Sequence, residues 1–390
     1  MIVDVTDPAH PVSLSHIPWN RSDPASSHPR GSQMSRACTM GGKSYLLRSA
    51  GVTRHEIWNV TAPSEPQFIG NVVDGLEDTH KSWWECDTGI AYVVGADPSW
   101  RTRRTARIFD LSDPENPKYI RDFGLVGQEP GSQMEHVPAG GEGGAGMHGP
   151  IVLNGRVYFA HGPQREGILQ IVDREKLLKG NPEPTPANLL YPEIGRLDIH
   201  PGWGVHTAFP VLGIEIPNFR KNRDGRVRDF VVAVSEVAGN NCQGFGHLVL
   251  FVDITDPTRP TPVSNFQVPE SPGNFCERGG RFGPHATNES FTPIYYKKIV
   301  FVSWFNAGVR AIDMRDPFKP LEVAYYIPAT TAFTSRSCVT IDGQERCKVV
   351  NQTNNVEVDD RGYIYIVDRA NTGMHILELT GAARSIVDIP

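Results

Sequence analysis

Four of the thirteen histidines in this chain of 390 residues stand in alike surroundings: Thr79-His80-Lys81, Met147-His148-Gly149, Val205-His206-Thr207 and Pro284-His285-Ala286. Each follows a loop and opens a run of β type. Two further segments align with them, Ser35-Arg36-Ala37 and Asn354-Asn355-Val356, so the column holds His in four of six cases. With His this scarce in the composition, such a column is not expected by chance. Imidazoles converging from equivalent positions make a nitrogen-only site. That donor set suits Fe(II), Cu, Ni or Zn and is wrong for Ca²⁺ or Mg²⁺, which take oxygen. The competing reading is a set of polar side chains lining a channel, bonded to water or backbone.

A ligating His normally gives its other nitrogen to a carboxylate or carbonyl. The acids placed to serve are Glu236 in Val234-Ser235-Glu236-Val237, Glu135 beside His136, and Glu357 after Asn355. Each reads equally well as a solvated loop acid. Arg36 and Asn355 fill the two positions of the column that lack His. An Arg there suits an anionic substrate or an oxyanion; pairing with an acid to seal a channel is the alternative. The residues expected to act on substrate are therefore Arg36, Glu236 and Asn355, beside a metal at His80, His148, His206 and His285.

Other signals are weaker. The run Gly140-Gly141-Glu142-Gly143-Gly144-Ala145-Gly146 lacks the Lys-Ser/Thr ending of a phosphate loop and precedes a strand, so it reads as a loop near a channel mouth. Arg101, Arg103, Arg104 and Arg107 read as a solvated basic loop, with anion binding as the alternative. No Gly-x-Ser-x-Gly elbow occurs.

The elements that must position the column come from a repeat. An apolar strand ends in Asp or Asn and runs into an Asp-Pro turn at Ile2–Pro8, Ile108–Pro114, Leu250–Pro257 and Ala311–Pro317, with looser copies at Ile57–Val60, Leu169–Asp173 and Ile376–Leu379. The marker residues fall at 4, 59, 110, 173, 253, 313 and 378. Four strands of a propeller blade need about 40–45 residues, the remainder being loops. Asp bonding its own backbone and Pro fixing φ suit a strand-to-strand turn. β-branched and aromatic runs bounded by Gly, Pro and Asn read as short strands; one helical stretch is expected around Asp173–Lys179.

The expected fold is thus all-β, a single β-propeller domain over 1–390, because radial repetition is how such sheets protect their edges. Two β-sandwiches are the alternative, but they do not call for seven copies of one turn. The copies at Ile2–Pro8, Phe251–Pro257 and Ile312–Pro317 resemble the LVIVD repeat of bacterial and archaeal propeller proteins, many of them exported. The resemblance implies a fold and no particular activity. The first copy begins at residue 2, so its blade lacks two strands: six complete blades and a half are visible. A missing upstream segment, carrying a signal peptide and completing a seventh blade, is the expectation. In a propeller the first strand of each blade is the innermost, so the histidine column is expected on the axis. That arrangement resembles, in geometry only, the four-His iron site of the carotenoid-cleavage oxygenase propellers.

Composition bounds the partners. Lys and Arg number 38 against 44 Asp and Glu, a net charge of −6, which argues against a duplex nucleic-acid binder. No window approaches the ~18 apolar residues of a membrane span. Six Cys without a Cys-x-x-C exclude ribbon-type zinc and thioredoxin-like chemistry. Cys338 and Cys347 read as a stapled hairpin, Cys242 with Cys276 and Cys38 with Cys86 as the remaining pairs, which favours a periplasmic or secreted protein over one with buried free thiols. The reading is an exported metal-dependent enzyme, Fe(II) first and Cu or Zn after, doing oxidoreductase chemistry with O₂ on a small organic substrate. A Zn-type hydrolase or lyase at the same site is the first alternative, and a non-catalytic cell-surface scaffold the second.

Overall fold

The computed structural model describes residues 1–18, 32–139, 146–163, 166–200, 202–219, 221–222, 225–236, 239–244 and 247–389. His28 and the run from Gly140 to Ala145 lie outside them. The fold is a β-propeller whose blades are small antiparallel sheets with strands in chain order. The first blade comprises Ser35–Met40, Lys43–Ala50, Arg54–Asn59 and Gln67–Val73; the second Ser82–Trp84, Ile90–Gly95, Thr105–Asp110 and Lys118–Phe123. The third is Met147–Leu153, Arg156–His161, Ile168–Asp173 and Glu193–Asp198; the fourth Thr207–Glu215, Val227–Val234, Val249–Asp253 and Thr261–Phe266. The fifth has Ile299–Ser303, Val309–Asp313 and Leu321–Tyr326, and the sixth Thr353–Val358, Ile364–Asp368 and Met374–Leu377. Two compact units result: Met1–Gly162 with Gln170–Ile194, and Pro163–Leu169 with Gly195–Pro390.

The repeated motif is the third strand of each blade and the turn that leaves it. Its marker residue accepts a hydrogen bond from the backbone N–H two positions on, in Asp110 with Ser112 (2.8 Å), Asp253 with Thr255 (2.9 Å), Asp313 with Arg315 (3.0 Å) and Asn59 with Thr61 (2.9 Å). The Asp of the Asp-Pro pair repeats the device one step later, as Asp113 does with Glu115 and Asp256 with Thr258. At Asp110, Asp253 and Asp313 two successive side chain-to-backbone bonds thus close the turn. Gly89 (φ 79°) lies against such a turn, where a Cβ would meet the Ser112 nitrogen at 2.5 Å. The core sits between neighbouring sheets within each unit. Tyr92, Val94 and Ile108 of the second blade pack with Val157 and Phe159 of the third, while Phe301 and Ala311 of the fifth pack with Val356 and Ile366 of the sixth.

Seven blades are not supported. Six sheets are blades, and Ile2–Asp4 pairs only with Val12–Ser15, a two-stranded sheet among the described residues. The motif marks one strand of a blade, so copies of it outnumber complete blades. The helix over Arg174–Lys179 forms where expected, with the Asp173 carboxylate accepting from the Lys176 N–H at its N-terminus (2.9 Å). All three expected cysteine pairs are disulfides: Cys38–Cys86, Cys242–Cys276 and Cys338–Cys347. The last staples a hairpin of Arg336–Ile341 with Gln344–Val349, where the two cysteines are direct cross-strand partners. No helix among the described residues is long and apolar enough to cross a membrane.

Candidate metal centre

The aligned column is a structural equivalence, because its residues take the same place at the start of a blade. The His80 N–H donates to the Val94 carbonyl (3.0 Å), His206 to Val234 (2.7 Å) and His285 to Ser303 (2.9 Å), each acceptor lying near the end of the next strand. His148 lies within its blade's first strand, beside the Met147–His161 pair. The segment around His285 is the fifth blade's first strand in function, with a bridge from Thr287 to Val302.

The column forms two pairs. In the first unit the His80 and His148 rings meet edge to face, 4.7 Å between centroids. In the second, the His206 and His285 rings lie 4.1 Å apart, and Glu236 joins them. One donor atom from each of His206, Glu236 and His285 lies within 4.8 Å of the others, and all three residues are buried. Two imidazoles and a carboxylate are the facial triad of non-haem Fe(II) sites and also serve Zn.

The surroundings of the triad fix the protonation of its histidines. His285 Nδ1 is 2.5 Å from the Asn354 carbonyl oxygen. A carbonyl only accepts, so Nδ1 carries the proton and Nε2 keeps its lone pair, 3.8 Å from a Glu236 oxygen. Burial lowers the His285 pKa to about 4, against the opposing pull of Glu236. The ring is therefore neutral near pH 7, as a ligand must be. His206 Nδ1 lies 3.0 Å from the Thr207 hydroxyl; in the tautomer that donates to it, Nε2 carries the ring's lone pair. Arg281 Nη1 donates to Glu236 Oε1 at 3.0 Å, which compensates the buried carboxylate and leaves its second oxygen for another partner. Phe305 backs the site: its ring centre is 5.0 Å from that of His285 and lies under the Arg281 guanidinium at 5.4 Å.

The other expected residues have separate roles. Arg36 lies in the first unit, its Nε donating to the Ser82 carbonyl (3.1 Å) and its guanidinium stacked 4.7 Å over Trp83. Asn355 accepts from the Asn354 side chain. The Glu357 carboxylate receives the N–H groups of Glu289 and Ser290, so it ties down backbone. Glu135 is an exposed loop acid. Two members of the basic cluster turn inward, Arg104 to buried Asp78 (3.0 Å) and Arg107 to Asp122 (2.8 Å), while Arg101 and Arg103 stay half-exposed. Arg281, Asn354 and Phe305 escape a sequence reading, since their contribution rests on contacts with residues distant in the chain. His247 also lies near Glu236, with its pKa lowered to about 4 by burial; it stands outside the column, and no spacing singles it out.

No protein-family model matches this chain, and no curated protein matches it. Among solved structures it is similar to Raptor of Chaetomium thermophilum, with a TM-score of 0.50 and 11% identity over 89% of this chain and 24% of that one. A second similar structure is the computationally designed Ika8 protein, with a TM-score of 0.45 and 9% identity over 89% of this chain and 83% of that one. The chain thus spans about a quarter of Raptor's length, and at such identity the likeness concerns the fold alone.

Proposed function

We propose that this propeller is a metal-dependent oxidoreductase. In this reading His206, His285 and Glu236 hold one first-row transition metal ion, Fe(II) in first place and Cu or Zn after, for chemistry with O₂ on a small organic substrate. The observation that carries the reading is the aim of His285: its proton is committed to the Asn354 carbonyl, and its remaining nitrogen faces a buried carboxylate beside a second imidazole. A facial triad leaves positions on the ion for substrate and oxygen. Kinship with the LVIVD-repeat proteins and export to an oxidising compartment belong to the same proposal, supported by the repeat and by the three disulfides.

Elemental analysis of protein purified without chelator is the test, with close to one Fe, Cu or Zn per chain expected. His206→Ala and His285→Ala should each lower metal affinity by at least tenfold, since losing a ligand exceeds the 10–100-fold cost of losing a ligand's support. His10→Ala and His200→Ala should not. Metal at background in the wild type defeats the proposal.

The ion pair of Glu236 with Arg281 favours a second reading, a polar cluster in a non-catalytic binding propeller. Arg281→Met separates the two. It destabilises the fold either way by leaving a buried acid, but added Zn²⁺ restores the melting temperature only if Glu236 is a ligand.

A further inference from the structure

The Phe305 ring that backs His285 carries two guanidiniums. Its centre is 5.0 Å from that of the His285 imidazole, 5.4 Å from Arg281 Cζ and 5.9 Å from Arg369 Cζ. The distances share one centroid, so Arg369 Cζ lies at most 10.9 Å from the imidazole centre, 5.0 Å to the ring and 5.9 Å beyond it. The Arg369 charge is felt at both His285 and Glu236. Gln352 sets both arginines: its Oε1 accepts the Arg281 N–H (2.8 Å) and its carbonyl that of Arg369 (3.0 Å). Asp368, next in the chain to Arg369, spends its carboxylate on the N–H groups of Gln352 and Ala370. The two side chains then differ in what they hold. Arg281 is committed to Glu236. Arg369 is exposed, and its guanidinium has no hydrogen bond or ion pair among the described residues. Desolvation and the Arg281 charge lower its pKa from the usual arginine value, which still leaves a cation at pH 7.

We propose that Arg369 is the substrate-binding residue of the metal centre, and that the substrate is an organic carboxylate. A guanidinium fork with free N–H groups matches a carboxylate bidentately. Charge balance points the same way. Arg281 and Arg369 offset Glu236 and Asp368, so a divalent ion at the triad leaves two positive charges uncompensated. An anionic substrate reduces that excess and a neutral one does not. One free guanidinium suits a monoanion better than a phosphate dianion. The substrate class rests on the metal reading; carboxylate binding at Arg369 does not.

The test is calorimetric titration of the full chain with benzoate, benzamide and phenylphosphonate, with metal content measured on every sample. Benzoate should bind at least about tenfold more tightly than benzamide, its neutral isostere, and more tightly than phenylphosphonate. Arg369→Gln removes the charge and should weaken benzoate by about 10–100-fold, the worth of hydrogen bonds to a charged group. Its metal content and its binding of benzamide should not change. Arg369→Lys keeps the charge without the fork and should fall between the two. Both variants should melt with the wild type, since the side chain is exposed and makes no hydrogen bond; should Gln lower the melting point, Lys carries the comparison. Equal benzoate affinity in wild type and both variants overturns the proposal, as does tighter binding of phenylphosphonate or benzamide. A protein that holds its metal but binds benzoate without regard to residue 369 sinks the carboxylate site and spares the metal centre. A metal-free protein whose benzoate binding depends on Arg369 sinks the metal centre and spares the carboxylate site.

Discussion

Two buried histidines of this protein differ in which ring nitrogen meets a backbone carbonyl. In His285 the proton sits on Nδ1, held by a carbonyl, and Nε2 faces an acid. In His55 it is Nε2 that lies 2.9 Å from a carbonyl, that of Val94. His55 is fully buried, and desolvation lowers its pKa to about 4, so it is a neutral structural group. In the unfolded chain it titrates near 6.5. Below that pH the unfolded state takes up a proton that the folded state refuses until about pH 4. Its stabilising contribution is therefore complete above pH 6.5 and declines as the pH falls toward 4, by about 3 kcal/mol in all. Urea unfolding at pH 7.5 and 4.5 should record that loss in the wild type and a smaller one in His55→Gln. Equal losses in the two proteins would assign the acid limb to other groups.

The Asx-type turn that ends the third strand at Asn59, Asp110, Asp253 and Asp313 rests on a bond spanning only two residues. Removing the acceptor at one copy leaves an exposed N–H to water, a modest loss. Asp110→Ala should destabilise by about 0.5–1.5 kcal/mol, the net worth of one hydrogen bond. Asp110→Asn should be nearly neutral, because Asn59 already makes the same bond to Thr61 with an amide oxygen. Chemical denaturation of the two variants checks this. If Asn costs as much as Ala, the carboxylate charge and not the turn bond is what the position requires.

Over the whole chain the three disulfides close loops of very different length, with separations of 48, 34 and 9 residues. In the chain-entropy model the longest contributes about 4 kcal/mol and the shortest about 2–3 kcal/mol. Replacing Cys38 and Cys86 by Ser should therefore cost more stability than replacing Cys338 and Cys347, whose hairpin is largely exposed. Protein made in a reducing compartment should melt well below protein made in an oxidising one, and non-reducing peptide mass spectrometry should join all three pairs in the latter. Free thiols after oxidative expression, or equal melting points, would count against an exported protein.

Periodic and local features were legible before any coordinates. The Asp-Pro turns announce a propeller because each copy is closed by bonds spanning two residues. The histidine column is visible because one place in each blade recurs in chain order, and the Cys338–Cys347 pair because it brackets a single hairpin turn. The blade count was misread, since a repeated turn reports one strand of a blade and not the presence of its partners. Nothing local separates Glu236 from Glu135 and Glu357: all three are acids near the column, yet only Glu236 meets His206 and His285. Arg281 reaches Glu236 across 45 positions, and His285 finds the Asn354 carbonyl across 69. The choice among like residues was left to the packing of one blade on the next. A side chain's partner across that seam depends on the twist and register of two sheets, which no spacing within either strand encodes.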